Sequence, residues 1–189
     1  FHKVQTELYR QTIARFHQAE QDNDNLLLPK LKAEKEQIKQ AQPAFIASVS
    51  LTGGRTSAHV TGYSGFIMVD VDDIPSGQFA ETLARVKTDP HTFLAHTTIS
   101  GTGIRVFVRM EGTITKGNFF LAWQAVNEYY AGLSGIGYDF KCKNPTRMSV
   151  ICHDPDTLYR PDAEFQSVLE KLNGLCSHAS IPGCEEGAS

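Results

Sequence analysis

The stretch that decides the fold is Ser64–Asp73, SGFIMVDVDD. Alternation of period two places Phe66, Met68, Asp70 and Asp72 on one face and Ile67, Val69 and Val71 on the other, which predicts a strand over 64–72. Downstream, Phe79, Leu83 and Val86 recur at helical spacing, and Asp89-Pro90 closes that helix. Thr92–Ile99 reads as the next strand. Ser100-Gly101-Thr102-Gly103 turns it into Ile104–Met110, where Ile104, Val106 and Val108 alternate with Arg105, Phe107 and Arg109. Residues 117–133 form the clearest helix, with Phe119, Trp123, Val126 and Tyr130 on one stripe. Arg147–Cys152 reads as a last strand, and a helix is expected over about 162–173.

From 64 to 152 the order is strand, helix, strand, strand, helix, strand: an α+β, ferredoxin-like or RRM-like βαββαβ core. Its usual sheet sets the first and third strands antiparallel, with the fourth strand flanking the first. On that expectation Ile67/Val69/Val71, Ile104/Val106/Val108 and Met148/Val150/Cys152 face the two helices. An open face then carries Asp70, Asp72, Arg105, Arg109, Arg147 and Ser149, completed by Phe66 and Phe107. Residues 1–42 read as a helical arm of two helices, ended by Pro43. Ala44–Leu51 has strand character and runs into Thr52-Gly53-Gly54. The domain is expected over 43–173, with a flexible tail at 174–189.

Composition excludes several classes. Of 189 residues, 41% are hydrophobic, which suits a packed domain, and no apolar run approaches a membrane span. Eighteen Lys and Arg against 21 Asp and Glu, net −3, argue against a polycation that coats duplex by charge alone. Four cysteines, at 142, 152, 176 and 184, are too few and too C-terminal to staple a secreted fold, so a cytoplasmic setting is expected. They lack a tight C-x₂₋₄-C pair, so no structural zinc is expected.

Carboxylates two apart on a strand share a face with Cα atoms about 6–7 Å apart. At a strand end Asp70 and Asp72 can converge on one or two hard cations, Mg²⁺ or Mn²⁺, with Asp139 brought to the same edge by the topology. Such a site can activate an attacking hydroxyl and steady a leaving pyrophosphate. The Ser100, Gly101 and Gly103 turn offers backbone N–H groups as a nest for phosphate oxygens. Arg105, Arg109 and Arg147 offer bidentate contacts to a triphosphate or a template backbone. His96 shares parity with Leu94 and reads as a packed or edge histidine. Tyr63 and Tyr159 flank the site as possible stacking rings.

Three ordered motifs, TGGRTSAHVTGYSGFIMVDVDDI, TTISGTGIRVFVRM and GIGYDFKCKNPTRMSVICHDPDTLY, resemble the VirE N-terminal domain family of bacterial mobile-element proteins. That family is similar to the archaeo-eukaryotic primase-polymerase superfamily, and the resemblance covers about 43–165. It implies a primase-polymerase-like core in which Asp70, Asp72 and Asp139 hold divalent metals for nucleotidyl transfer. It also places Arg147 and Ser149 in an Arg-x-Ser segment before the Asp154–Asp156 turn. The partners it implies are nucleoside triphosphates, a single-stranded DNA or RNA template and a downstream helicase, in DNA replication or mobilisation. Where the superfamily often has a nucleotide-contacting histidine, this chain has Arg105, which can neutralise phosphate but cannot act as a neutral imidazole. Two other readings are a noncatalytic single-strand-binding RRM-like module that stacks bases on Phe66 and Phe107, and a structural domain with a degenerate site.

Overall fold

The computed structural model describes residues 2–167. The elements are α1 (His2–Gln21), α2 (Leu28–Gln40), β1 (Ala44–Phe45), β2 (Val49–Leu51), β3 (Val60–Tyr63), β4 (Phe66–Val71), α3 (Phe79–Thr88), β5 (Thr92–Thr97), β6 (Ile104–Arg109), α4 (Phe119–Ser134), β7 (Ser149–Val150) and β8 (Leu158–Tyr159). The fold is α+β with antiparallel sheets. Among the described residues no helix is long and apolar enough to cross a membrane.

The main sheet runs β4-β6-β5-β8 with every pair antiparallel. β6 lies between β4 and β5, as the order of elements predicts, and its register sets Arg105 opposite Asp70 on one side and His96 on the other. One face of this sheet carries Ile67, Val69, Ile104, Val106 and Val108, which pack with Trp123, Val126 and Tyr130 of α4 in a core closed to water. Burying each large apolar side chain contributes about 1.5–3 kcal/mol. α4 stops at Gly135, whose φ of +73° is a left-handed cap that glycine adopts without a Cβ clash.

The expected fourth strand is a correction. Residues 149–150 do not flank β4; they pair with Ala44–Phe45 in a separate two-stranded ribbon, extended by Ile151 N–H donating to Pro43 O at 2.8 Å. The expected parity fails at its start, where Ser149 is buried and Met148 exposed, and holds at its end, where Val150 and Cys152 pack inward and Ile151 is exposed. The ribbon lies across the sheet face opposite α4, where Phe45 stacks on Phe107 at 5.4 Å between ring centroids. That face is therefore covered. Phe107 is 3% exposed and Met68 7%, because three large apolar side chains on one face create a surface that β1 and β7 close.

The arm completes this third layer. α1 and α2 pack on each other and dock through a seam in which Tyr9 and Ile38 meet Ile99, with Ile13, Val150 and Cys152 against them. Thr6 Oγ1 accepts from His153 N at 3.0 Å. Of the helix expected at 162–173, residues 162–167 are not helical, and Gln166 bridges to Met110 instead. The rest of that helix and the tail lie outside the described residues.

Candidate functional site

Asp70 stands at the C-terminal end of β4 and is 4% exposed. Arg105, directly across on β6, brings Nη2 to 2.9 Å from Asp70 Oδ1. Arg147 comes from a different element. Asn144-Pro145-Thr146-Arg147 is a tight turn in which Thr146 N–H and Oγ1 both donate to Asn144 Oδ1, at 3.0 and 2.8 Å. The turn aims Arg147 Nη2 to 3.6 Å from Asp70 Oδ2. One buried carboxylate is thus clamped by two guanidinium groups.

Asp72 follows one residue beyond the strand and is exposed. The residue is exposed as a whole, but its carboxyl group lies against Gly103, and this partial desolvation raises its pKa above the usual carboxylate range. The adjacent charges of Asp70 and Asp73 act in the same sense, against a lowering by Arg105. Its carboxylate rests on Gly103, where a Cβ would lie 2.5 Å from Asp72 Oδ1 and 2.9 Å from Val71 O. Glycine is required there by close approach. Gly103→Ala is expected to push Asp72 off this seat and lower stability by about 1–3 kcal/mol, read as a fall in the midpoint of urea unfolding.

The Ser100–Gly103 turn closes on itself. Gly101 N–H donates to Thr98 O at 2.9 Å, and Ser100 Oγ lies 2.9 Å from Thr98 Oγ1 and 3.0 Å from Thr102 Oγ1. It meets the cleft through Ser100 and Thr102. Gly101, at φ +80°, lies under the Arg10 guanidinium from the arm.

Asp139 caps the 3-10 turn Phe140–Cys142 by accepting from Lys141 N at 2.8 Å. It reaches the same edge, but the Cys142 thiol stands between the acids, its Sγ 3.8 Å from Asp70 Oδ2 and 3.9 Å from Asp139 Oδ2. Burial pushes that thiol up to about 11, so it remains a protonated donor at neutral pH. Among the described residues, no three His, Cys, Asp or Glu side chains gather as a ready ligand set.

Arg109 does not join the site. It lies at the other end of β6, donates from Nη2 to Ala163 O at 2.6 Å, and is held between Phe93 and Phe165, 5.2 and 4.5 Å from their ring centroids. Tyr63 packs on Phe119 in the core, and Tyr159 lies on β8 against Phe93. Ser149 lines the cleft with its Oγ buried and without a hydrogen-bond partner.

A cleft of about 510 Å³ joins these groups, with Asp70, Asp72, Arg105 and Arg147 on the sheet side and Lys35 and Lys39 of α2 on the arm side. His96 also lines it, beside Arg105; burial lowers its pKa, so the imidazole is neutral at pH 7. Counting back from the 98–103 turn pairs 97 with 104 and 96 with 105, which would have found His96. No pattern in the sequence announces that α2 docks here, although the i, i+4 spacing of Lys35 and Lys39 places them on one helix face.

Fold and site together define an α+β domain whose acid–arginine cleft is roofed by a helical hairpin. Residues 37–159, more than half of the chain, match the family described as BT4734-like, N-terminal domain, and the chain belongs to that family. The matched family is not the VirE N-terminal family that the motifs resemble, and it leaves α1 and most of α2 outside its bounds. Among solved structures the chain is similar to the AEP domain (PP-N190) of the cyanophage S-2L primase-polymerase (PrimPol), with a TM-score of 0.46 and 16% identity over 75% of each chain. No curated protein matches it in sequence.

Proposed function

We propose that this chain is a primase-polymerase-like domain that holds the triphosphate of a nucleotide in the cleft for nucleotidyl transfer to a nucleic-acid 3′-hydroxyl or an initiating nucleotide. The observation that carries this reading is the meeting of Asp70 and Asp72 with Arg105 and Arg147 in one cleft. The motif resemblance supports it. A single-stranded DNA or RNA template, a downstream helicase and a cytoplasmic setting belong to the same proposal.

The residues fit a divalent cation, Mg²⁺ or Mn²⁺, at two of the three expected carboxylates. Asp70, Asp72 and Asp73 crowd negative charge at one strand end, and desolvation first, then these neighbouring acids, raise the Asp72 carboxyl. Asp70 and Asp72 would hold the ion with phosphate oxygens supplied by the nucleotide, and Asp139 would stay behind Cys142. When bound, the cation supplies neutralisation of the developing phosphate charge. Arg105 and Arg147 orient the phosphates, Lys35 and Lys39 neutralise them from the arm, and the buried Ser149 hydroxyl offers a donor.

The test uses Asp72→Asn, because Asp72 is exposed and its replacement leaves the Asp70 clamp intact. Titration of dATP into the parent is expected to show binding that depends on Mg²⁺ or Mn²⁺, weakened at least about tenfold in the variant, as loss of a charge-assisted contact implies. Template-directed incorporation of labelled nucleotide should fall with it. Equal affinity in both proteins, with or without the cation, would overturn the reading. Without ligand, Asp72→Asn should melt higher at pH 7. The raised pKa means that the cost of desolvating the charge, with the repulsion from Asp70 and Asp73, is absent while Asp72 is protonated and sets in as pH rises through its titration, so the gain should vanish in acid below the ordinary carboxylate range.

A second reading, nucleotide binding without transfer, is favoured by the two arginines that engage both oxygens of Asp70. It predicts affinity without incorporation. Stacking of bases on Phe66 and Phe107 is not supported, since Phe107 lies buried under Phe45.

A further inference from the structure

Beside the nucleotide cleft lies a larger cavity of about 840 Å³, bounded by α2, the β1–β2 segment and β7. Lys39, Met148 and Val150 line both, so these three side chains form a wall common to the two spaces. The wall of the larger one is aliphatic at Ile46, Val49 and Leu51, and it carries cations at two separated points, Lys39 at the junction and Arg55. Glu36 is the acid among its lining residues.

Arg55 is set there by a turn the nucleotide cleft does not use. Thr52-Gly53-Gly54 needs both glycines: Gly53 has φ +80°, and a Cβ on Gly54 would meet the His59 ring at 2.7 Å. The His59 ring is itself anchored, with Nδ1 2.7 Å from Thr56 Oγ1. The Arg55 guanidinium reaches Met148, with Nη1 2.9 Å from Sδ, while the residue remains exposed. A second polar group also faces this cavity. Gln42 is 6% exposed; its Nε2 donates to Ile38 O at 3.1 Å, and its buried Oε1 has no hydrogen-bond partner.

We infer that this second cavity holds a single-stranded nucleic acid, its bases on the aliphatic wall and its backbone phosphates passing Arg55 and Lys39 toward the Asp70–Asp72 edge. The inference rests on the proposed function for the neighbouring cleft and names where the strand would run. An aliphatic wall suits the flat apolar faces of any base, a buried amide oxygen can accept from a base N–H such as thymine N3–H, and two spaced cations suit a polyanion.

The experiment measures fluorescence anisotropy of a labelled oligo-dT of about ten nucleotides, a length suited to one small binding groove, on the full chain across a range of salt. A fluorescent dATP analogue is titrated in parallel. Arg55→Ala is expected to weaken oligonucleotide binding about 3–10-fold and to flatten the salt dependence by about 0.7 in log–log slope per lost phosphate contact. Binding of the dATP analogue should be unchanged. Arg55→Lys, which keeps the charge, should recover most of the affinity. Leu51→Glu, which sets a carboxylate in the cavity, should weaken the oligonucleotide without touching the turn. Oligonucleotide affinity and salt slope equal to the parent in both Arg55→Ala and Leu51→Glu would overturn the inference, even where the dATP analogue binds. A parent that binds oligo-dT through Arg55 but not the dATP analogue supports the groove and defeats the nucleotidyl-transfer reading.

Discussion

Asp70→Ala is expected to lower stability by about 3–5 kcal/mol, the usual consequence of removing one partner from a buried ion pair. At this chain length that is a fall in melting temperature of about 6–20 °C. The cause is what remains: the Arg105 side chain is only 12% exposed, and without Asp70 it keeps its charge with no carboxylate at 2.9 Å. Arg147, at 43% exposure, can turn to water and contributes less. Asp70→Asn should fall between the parent and alanine, since it keeps the side chain's volume and a polar group beside Arg105. The decisive measurement is the double variant Asp70→Ala/Arg105→Leu, which removes both charges and should recover most of the loss. No recovery would mean that the clamp is not the source of the instability. It follows that lost nucleotide binding in Asp70→Ala reports on folding as well as on ligation.

The second large effect lies behind the sheet. Asp89→Ala is expected to lower stability by about 3 kcal/mol through two buried or half-buried phenols left without their carboxylate. Asp89 Oδ1 accepts from Tyr130 Oη at 3.1 Å and from His91 N–H at 3.0 Å, and Oδ2 accepts from Tyr129. Tyr130 Oη also lies 2.8 Å from Thr92 Oγ1, which donates to Val86 O at 2.7 Å, and Arg160 donates to the Asp89 carbonyl at 2.5 Å. One residue therefore ties the end of α3 to α4, to the start of β5 and to the segment just after β8. Burial above all, with Asp89 beside them, pushes both phenol pKa values upward, so they stay donors well into alkaline pH. Urea unfolding should show the loss with an unchanged slope, and Asp89→Asn should restore part of it. A midpoint in Asp89→Ala within about 0.5 kcal/mol of the parent, the range of an ordinary surface change, would contradict this account.

Much of the sheet side of the site was legible because it depends on local rules. The parity of 64–72 and the short turn at 100–103 are enough to put Asp70 beside Arg105 and the serine turn beside Asp72. Asp139 lies near Asp70 although the strand expected to bring it there does not flank β4, and Cys142 stands between the two carboxylates. The segment 147–152 was given the wrong partner strand and the wrong faces for Met148 and Ser149 because two residues of strand carry almost no periodic signal, and its pairing with Ala44–Phe45 is set about a hundred residues away. Arg109 looked like a phosphate ligand on parity alone; Phe93 and Phe165, which hold it, are assembled only by tertiary structure. The face read as open carried its own contrary sign. Phe66, Met68 and Phe107 together are the footprint of a cover, and the cover is β1 with the arm behind it.

The docking of α1 and α2 makes the cleft and the arm two ends of one equilibrium. The seam at Tyr9, Ile38 and Ile99 is small, and Lys35 and Lys39 reach the ligand space only while it is closed. A ligand that touches both walls must tighten the hairpin on the sheet by the same free energy by which the docked hairpin raises the ligand's affinity. On the proposed reading, the hairpin would then set the domain's grip on a phosphate ligand from Lys35, outside the family's matched residues, and from Lys39, inside them.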